Sequence, residues 1–320
     1  MTADRERGVW LIILGGFALR LYRLGAQSLW YDETVSAYLA SQSIPDLIAH
    51  TARDIHPPAY YLLLHLWTRL AGVSEFALAF FSLAFGLLLI PLCYALARRL
   101  LGRPAAVWAA LLVATSPYNL WYSQEVRMYT LGAALGLAAL WCALGVVAGR
   151  QPAGGQSARR RYYSLGYILA AAAGLYVLYY FAFLLVVLGL SIAGWLAMRR
   201  RFRPLKIWLL AQLGVLLLYL PWLPIAWRQA TDPPVPPWRS FIPLDRVAVE
   251  AWTALTFGQS VQPGQVWPAL VVAAILFGLG LIYQTSNVKR QISNQRSAVS
   301  RQPSAVQPPT SNLQPPTSNL

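Results

Sequence analysis

Acidic residues are scarce in this chain. Eleven Asp and Glu stand against 26 Lys and Arg in 320 residues, and charged residues of all kinds make up 12%. A soluble domain carries roughly 25% charge and about 45–50% apolar residues. Here 57% are hydrophobic and the mean hydropathy is +0.47, which excludes an ordinary soluble domain. Cysteine is nearly absent as well. Cys93 and Cys142 both lie inside apolar runs; they read as small buried hydrophobes, and a disulfide framework is excluded. A cleavable signal peptide is not evident. Residues 8–24 follow Arg5 and Arg7 but lack a small-residue cleavage site, so they read as a retained first helix.

What the chain does have is long apolar runs, such as 83–96 and 131–148, which argue for an integral membrane protein. The net charge of +15 would suit nucleic acid, but the basic residues fall in short clusters between apolar segments. Those clusters are Arg5/Arg7, Arg98/Arg99/Arg103, Arg150 with Arg159 to Arg161, Arg199 to Arg201 with Arg203 and Lys206, and Lys289/Arg290. Placing all of them in the cytoplasm satisfies the positive-inside preference. The expected architecture is then an all-α polytopic bundle of about eight spans, near 8–24, 75–97, 104–121, 126–148, 163–178, 181–198, 206–226 and 267–284. Residues 56–72 offer about 15 usable apolar positions against the ~20 of a spanning helix, and they are expected on the outer surface.

This topology sorts the acids without having used them. Only Asp4 and Glu6 fall inside; the other nine (Asp32, Glu33, Asp46, Asp54, Glu75, Glu125, Asp232, Asp245 and Glu250) fall outside. Acids contribute little to orientation, so the chemistry is expected to face outward, on the cell membrane. The first outer loop, 25–74, should hold two short helices ahead of the surface helix. One starts at Asp32. The other is capped by Ser43, with Asp46 three residues on and Pro45 in its first turn. The second outer loop, 227–266, carries four prolines in "TDPPVPPWRSF" and reads as a stiff flap. Residues 1–285 form the membrane core. The polar, aperiodic stretch 286–320 ends in a tandem "QPPTSNL" and is expected to be a disordered tail, as at a truncated gene end.

Three constellations lie on the outer side. "WYDET" sets Asp32 beside Glu33. One acid suits a helix N-terminus, but two adjacent carboxylates repel unless a base, a metal or a shared proton intervenes. "DIHPPAYY" holds His56 rigidly before two prolines, which a surface turn would also explain. "SPYNLWYSQEVRMYTL" sets Glu125 and Arg127 among aromatics that could belong to an interfacial belt. Ionisable groups at a membrane mouth nevertheless point to function. Arg127 suits phosphate, and Glu125 a metal or a sugar hydroxyl.

Together "WYDET", "DIHPPAYYLLLHLW", "SEFAL" and "SPYNLWYSQEVRMYTL" resemble the polyprenyl-phosphate-dependent membrane glycosyltransferases of family 39 and its relatives, the protein mannosyltransferases and lipid A aminoarabinose transferases. The resemblance runs from about residue 8 to about 285. It implies a GT-C fold whose first outer loop carries the catalytic acid. It also implies a polyprenyl-phosphate sugar donor and a hydroxyl acceptor on lipid, glycan or protein. By it, Asp32 is the general base, Glu33 and Glu125 are the further acids of the site, and His56 and Arg127 address the phosphate. Tyr31, Gln124 and Tyr129 would line the substrate. A divalent cation held by Asp32 and Glu125 stays open. Two positions depart from the family: Ala79 stands where an arginine is common, and Tyr179 where many relatives carry a histidine. Many relatives are also longer. A loss of cation near the phosphate would leave an impaired remnant. A transporter or flippase is the rival reading; it would place ionisable groups near mid-bilayer and show an internal repeat. Neither is seen in the sequence.

Overall fold

The computed structural model describes residues 2–147, 156–234 and 241–300, and all regular structure among them is helical. They form two units, 1–262 and 263–320. The first unit opens with α1 (Thr2–Leu21). Three short helices follow, in the stretch expected as the first outer loop: α2 (Tyr31–Ser41), α3 (Ile44–Arg53) and α4 (Ala59–Ala71). Then come α5 (Glu75–Leu101), α6 (Arg103–Thr115), α7 (Pro117–Gln124) and α8 (Tyr129–Val147). The unit ends with α9 (Gln156–Val177), α10 (Phe181–Met198), α11 (Phe202–Tyr219), α12 (Leu223–Thr231) and α13 (Leu244–Phe257). The second unit is α14 (Pro263–Ser300), with a non-helical residue at Val266.

Among the described residues five helices are long and apolar enough to cross a membrane: α5, α8, α10, α11 and residues Pro263–Tyr283 of α14. The chain is a multi-pass membrane protein. Helix α4 has 13 residues, which reach only about 20 Å at 1.5 Å per residue, short of the ~30 Å hydrocarbon core.

In the first unit, α5 is the central post and packs on α6, α7, α8 and α1, while α8 packs on α9 and α9 on α11. Close packing along α8 and α9 depends on small residues, as expected where lipid offers no hydrophobic drive between helices. A Cβ on Gly145 would fall inside the Tyr163 ring. Buried Ala139, Ala143 and Ala171 continue that contact around Tyr167, Trp208 and Leu196. A separate core seats the outer loop. Leu39 of α2, Leu47 of α3 and Tyr60, Tyr61 and Leu64 of α4 pack with Leu78 and Leu83 of α5 and with Val126 and Met128.

Several expected boundaries shift, for local reasons. The span expected at 104–121 breaks into α6 and α7 at Ser116, whose hydroxyl accepts from Asn119 N at 3.3 Å. Pro117 explains the break, because the residue before a proline avoids helical ψ. The span expected from 126 starts at Tyr129, since Glu125 is extended. The stretch 206–226 divides into α11 and α12. The second outer loop holds the 14-residue helix α13 where only a stiff flap was expected. No proline lies between 244 and 257, so nothing interrupts that stretch. Helix α14 runs past 284 to Ser300, because no glycine or proline lies between 281 and 302. The repeat at 307–320 lies outside the described residues.

One buried cation fastens the bundle to the site. Arg20 of α1 is fully buried. Its guanidinium donates to the carbonyls of Gly16 (2.8 Å), Ala114 (3.0 Å) and Val113 (3.0 Å) and to Ser123 Oγ (3.2 Å). It thereby takes up carbonyls left open where α6 gives way to α7.

Candidate active site

Asp32 and Glu33, adjacent in sequence, face different partners. Glu33 is buried, 7% exposed. Its Oε1 accepts from Val126 N at 2.7 Å and its Oε2 from Trp30 N at 3.2 Å. The second bond caps the start of α2. The first ties that helix to the turn at 125–128, where Arg127 N donates to the carbonyl of Glu125 at 2.8 Å. Both oxygens are thus committed to backbone N–H groups, and Glu33 fixes the site's geometry without facing into it. Asp32, with its side chain 37% exposed, points to Arg127, whose Nη2 lies 3.6 Å from Asp32 Oδ2. The two acids can be neighbours because backbone donors hold one and a guanidinium the other.

Arg127 is the hub. Its side chain is 4% exposed. Nη1 donates to the carbonyl of Asp32 at 3.3 Å, and Nη2 contacts His56 Nε2 at 3.2 Å. The guanidinium also lies 5.9 Å from the Tyr129 ring centroid. Its Nε is buried and has no hydrogen-bond partner among the described residues. His56 Nδ1 lies 3.4 Å from Asp54 Oδ2. With Nε2 accepting from Arg127, Nδ1 carries the proton and donates to Asp54. Burial works against the Asp54 carboxylate, yet the His56 hydrogen bond, the Ile55 N–H and the nearby imidazoles of His56 and His50 hold it below its ordinary range. A relay Asp54–His56–Arg127–Asp32 therefore joins the end of α3, the Pro57–Pro58 turn, the segment before α8 and the start of α2.

Glu125 is half-buried, and its Oε1 accepts from Trp121 Nε1 at 2.5 Å. Burial pushes its carboxyl up to about 7; the Trp121 bond and Arg127 oppose the shift, while the Glu33 and Asp32 carboxylates add to it. Around neutral pH this acid can hold or release a proton. The other expected lining residues separate. Tyr129 stacks edge-on with Tyr122 at 4.6 Å and sits beside Arg127. Tyr31 is 80% exposed. Gln124 points away, donating to the carbonyls of Arg20 (2.9 Å) and Tyr22 (2.8 Å). It braces α7 against α1.

Among the described residues no group of three or more His, Cys, Asp and Glu side chains could hold a metal ion. Asp32 is paired with Arg127, and no step below is routed through a metal ion. Of the two family departures, Ala79 is buried in the core under the outer loop. Tyr179 donates to Gln229 Oε1 and accepts from Trp222 Nε1 at 2.9 Å. Gln229 is buried and donates to loop carbonyls next to Asp54. Sequence reasoning missed it, since a lone glutamine in "AWRQATDPP" carries no motif.

The arrangement is that of a GT-C-type membrane glycosyltransferase fold. The crystal structure of ArnT from Cupriavidus metallidurans in the apo state aligns with a TM-score of 0.53 at 17% identity, over 73% of this chain and 44% of that one. At that identity the likeness is one of fold, and this chain spans less than half the length of ArnT. The sequence model of the dolichyl-phosphate-mannose-protein mannosyltransferase family matches residues 55–225, just over half of the chain, and the chain belongs to that family. No curated protein sequence matches it. The family match takes in His56, Glu125 and Arg127 but begins after Asp32. Only the fold brings Asp32 to them.

Proposed function

We propose that the protein transfers a sugar from a polyprenyl-phosphate donor to a hydroxyl acceptor at the outer face of the cell membrane, with inversion at the anomeric carbon. The reading rests chiefly on one observation: a half-exposed carboxylate, Asp32, lies 3.6 Å from a buried guanidinium, Arg127, that has an N–H to spare. In such a transfer the acceptor oxygen bonds to the anomeric carbon as the bond from that carbon to the phosphate oxygen breaks. The acceptor loses its proton, and the departing phosphate gains negative charge. Asp32 takes the proton as general base. Arg127 receives the phosphate, its Nε adding a donor to those already shared with Asp32 and His56. His56, oriented by Asp54, keeps that guanidinium in place. Glu125, poised near neutrality, hydrogen-bonds the sugar or acceptor beside the same arginine. Donor sugar, acceptor and carrier are those the family chemistry allows: a polyprenyl-phosphate glycoside on one side, and a lipid, glycan or protein hydroxyl on the other.

The test separates the two roles. Membranes and purified protein are supplied with radiolabelled polyprenyl-phosphate sugars, and transfer is measured beside binding of farnesyl phosphate, a short polyprenyl monophosphate. Asp32→Asn keeps shape and loses basicity; transfer should fall by roughly 10²–10⁴-fold with phosphate binding retained. Arg127→Ala should lose phosphate binding. Full transfer by Asp32→Asn ends the base assignment, and unchanged binding in Arg127→Ala ends the phosphate assignment.

A further inference from the structure

The relay that orients Arg127 ends at Asp54, in the loop between α3 and α4. Helix α3 stops at Arg53, where backbone donors run short; Thr51 O accepts only a long bond from the capping Asp54 N, at 3.4 Å, and Ala52 O lies beside it. Those carbonyls are met by one side chain from a distant element. Gln229, in α12, is 7% exposed. Its Nε2 donates to Thr51 O at 2.9 Å, reaches Ala52 O at 3.3 Å and donates to Asp54 O. The neighbouring Arg228 adds a bond from Nη2 to Ala52 O at 2.6 Å. The amide's orientation is set from behind. Its Oε1 accepts from Tyr179 Oη, which in turn accepts from Trp222 Nε1 at 2.9 Å. The donor side of the amide must therefore face the loop, since only the carbonyl oxygen can accept the tyrosine's proton.

We propose that Gln229 is a positioning residue for the phosphate-binding arginine: it clamps the 51–54 turn so that Asp54 meets His56 Nδ1, and His56 Nε2 then meets Arg127. The inference rests on the assignment of Arg127 to phosphate given above. Four segments take part: the α9–α10 turn through Tyr179, the α11–α12 junction through Trp222, α12 through Gln229, and the 51–56 loop. A purely structural prop would stop at the loop backbone. Here the clamped residue is itself the partner of the histidine that touches the guanidinium. Asp54 contributes its carbonyl to Gln229 and its carboxylate to His56. Displacing its backbone therefore displaces both.

The placement also explains why a tyrosine is suited to position 179. A phenol can donate to Gln229 Oε1 and still accept from Trp222, so it fixes the amide's sense as well as its location. Position 179 thus acts on the site through three intermediaries, with no contact of its own to Arg127.

A double-mutant cycle on the full chain tests this, read as the dissociation constant of farnesyl phosphate in detergent. Gln229→Leu keeps volume and removes every donor. It should weaken binding by about tenfold, within the span of couplings measured for contacting residues. In a His56→Ala background the same change should cost less than about threefold, because the residue through which it acts is gone. A loss of equal size in both backgrounds, or no loss in the first, overturns the proposal. Tyr179→Phe keeps the question open to refutation if Gln229→Leu does not fold. It should weaken binding by about threefold, again only where His56 is present. Arg127→Ala in the same series distinguishes the two levels of inference. If it binds normally, the phosphate assignment falls and this proposal with it. If it binds poorly while Gln229→Leu and Tyr179→Phe bind as the parent does, only the positioning role falls.

Discussion

Glu33→Gln is expected to damage stability more than any other single conservative change in the site, and more than the same change next door. The carboxylate is 7% exposed, and each oxygen accepts one backbone N–H, from Val126 at 2.7 Å and Trp30 at 3.2 Å. Glutamine offers one acceptor and one donor group. Whichever way the amide turns, its NH₂ confronts an N–H, and one of the two bonds is lost. A hydrogen bond to a charged group contributes about 1.5–3 kcal/mol, and a buried N–H left unpaired costs about 1–3 kcal/mol. The two overlap, since Trp30 is partly accessible to water and Val126 is not. A net loss of about 2–4 kcal/mol follows. At roughly 2–4 °C per kcal/mol for a domain of 150–250 residues, the melting temperature should drop by about 5–15 °C. The assay is thermal unfolding of purified protein in one detergent, with Asp32→Asn as the control. That side chain is 37% exposed, its partner lies 3.6 Å away, and asparagine still offers the guanidinium an oxygen, so the loss should be smaller than that of Glu33→Gln. Melting of Glu33→Gln at the parent's temperature, or equal drops in both variants, would refute the division of labour between the two acids.

Two other outcomes are expected. Burial raises Glu125 in the folded state to about 7, above its ordinary value of 4.5. The folded protein then binds more protons than the unfolded chain between those values. This acid's contribution is fully present below about 4.5 and is lost as pH rises to about 7. Thermal stability should thus decline by a few degrees between pH 5 and 7.5, and Glu125→Gln should flatten that decline; an unchanged slope would show that the carboxyl is not buried as described. Ser28, exposed in the first outer loop, should react with an impermeant thiol reagent from outside intact cells when changed to Cys in a background lacking Cys93 and Cys142; protection there would reverse the proposed orientation.

Much of this site was legible before any coordinates, and the reason lies in its chemistry. Asp32, His56, Glu125 and Arg127 announced themselves because charge is rare in an oily chain and costs free energy wherever it is kept. The shortness of the helix in 56–72 was legible from its apolar length, and α4 has 13 residues. Glu33 showed the limit of that reasoning. Its type and position suggested a second acid in the site, but a carboxylate's role depends on which donors reach it. Val126 N is 93 residues away in sequence. Helix α13 was hidden by the prolines ahead of it, and α14 extends into polar sequence because no breaker stops it. Gln124 looked like a lining residue through its place beside Glu125. A helix, however, turns successive side chains about 100° apart, and it faces α1.

The two adjacent acids of "WYDET" can now be understood together. In a chain with few carboxylates, one is used to build and the other is the proposed base, and the first positions the second's partner. Glu33 draws Val126 N onto the start of α2, which sets Arg127, the next residue, against Asp32. The ladder of supports continues outward: Ser82 Oγ donates to the carbonyl of Arg127 at 3.2 Å, and Tyr60 Oη lies 3.3 Å from that same Ser82 Oγ. Arg127 is therefore gripped at its backbone from both sides while its side chain is held by Asp32 and His56. A guanidinium fixed this way loses little freedom when an anion arrives. Its remaining buried N–H, at Nε, is unsatisfied among the described residues until something accepts from it. An unpaired buried donor costs free energy, and an anionic oxygen that relieves it binds the more tightly for that reason. The spare donor and the rigid frame thus suit the event that the proposed function requires, arrival of a phosphate beside the proposed base.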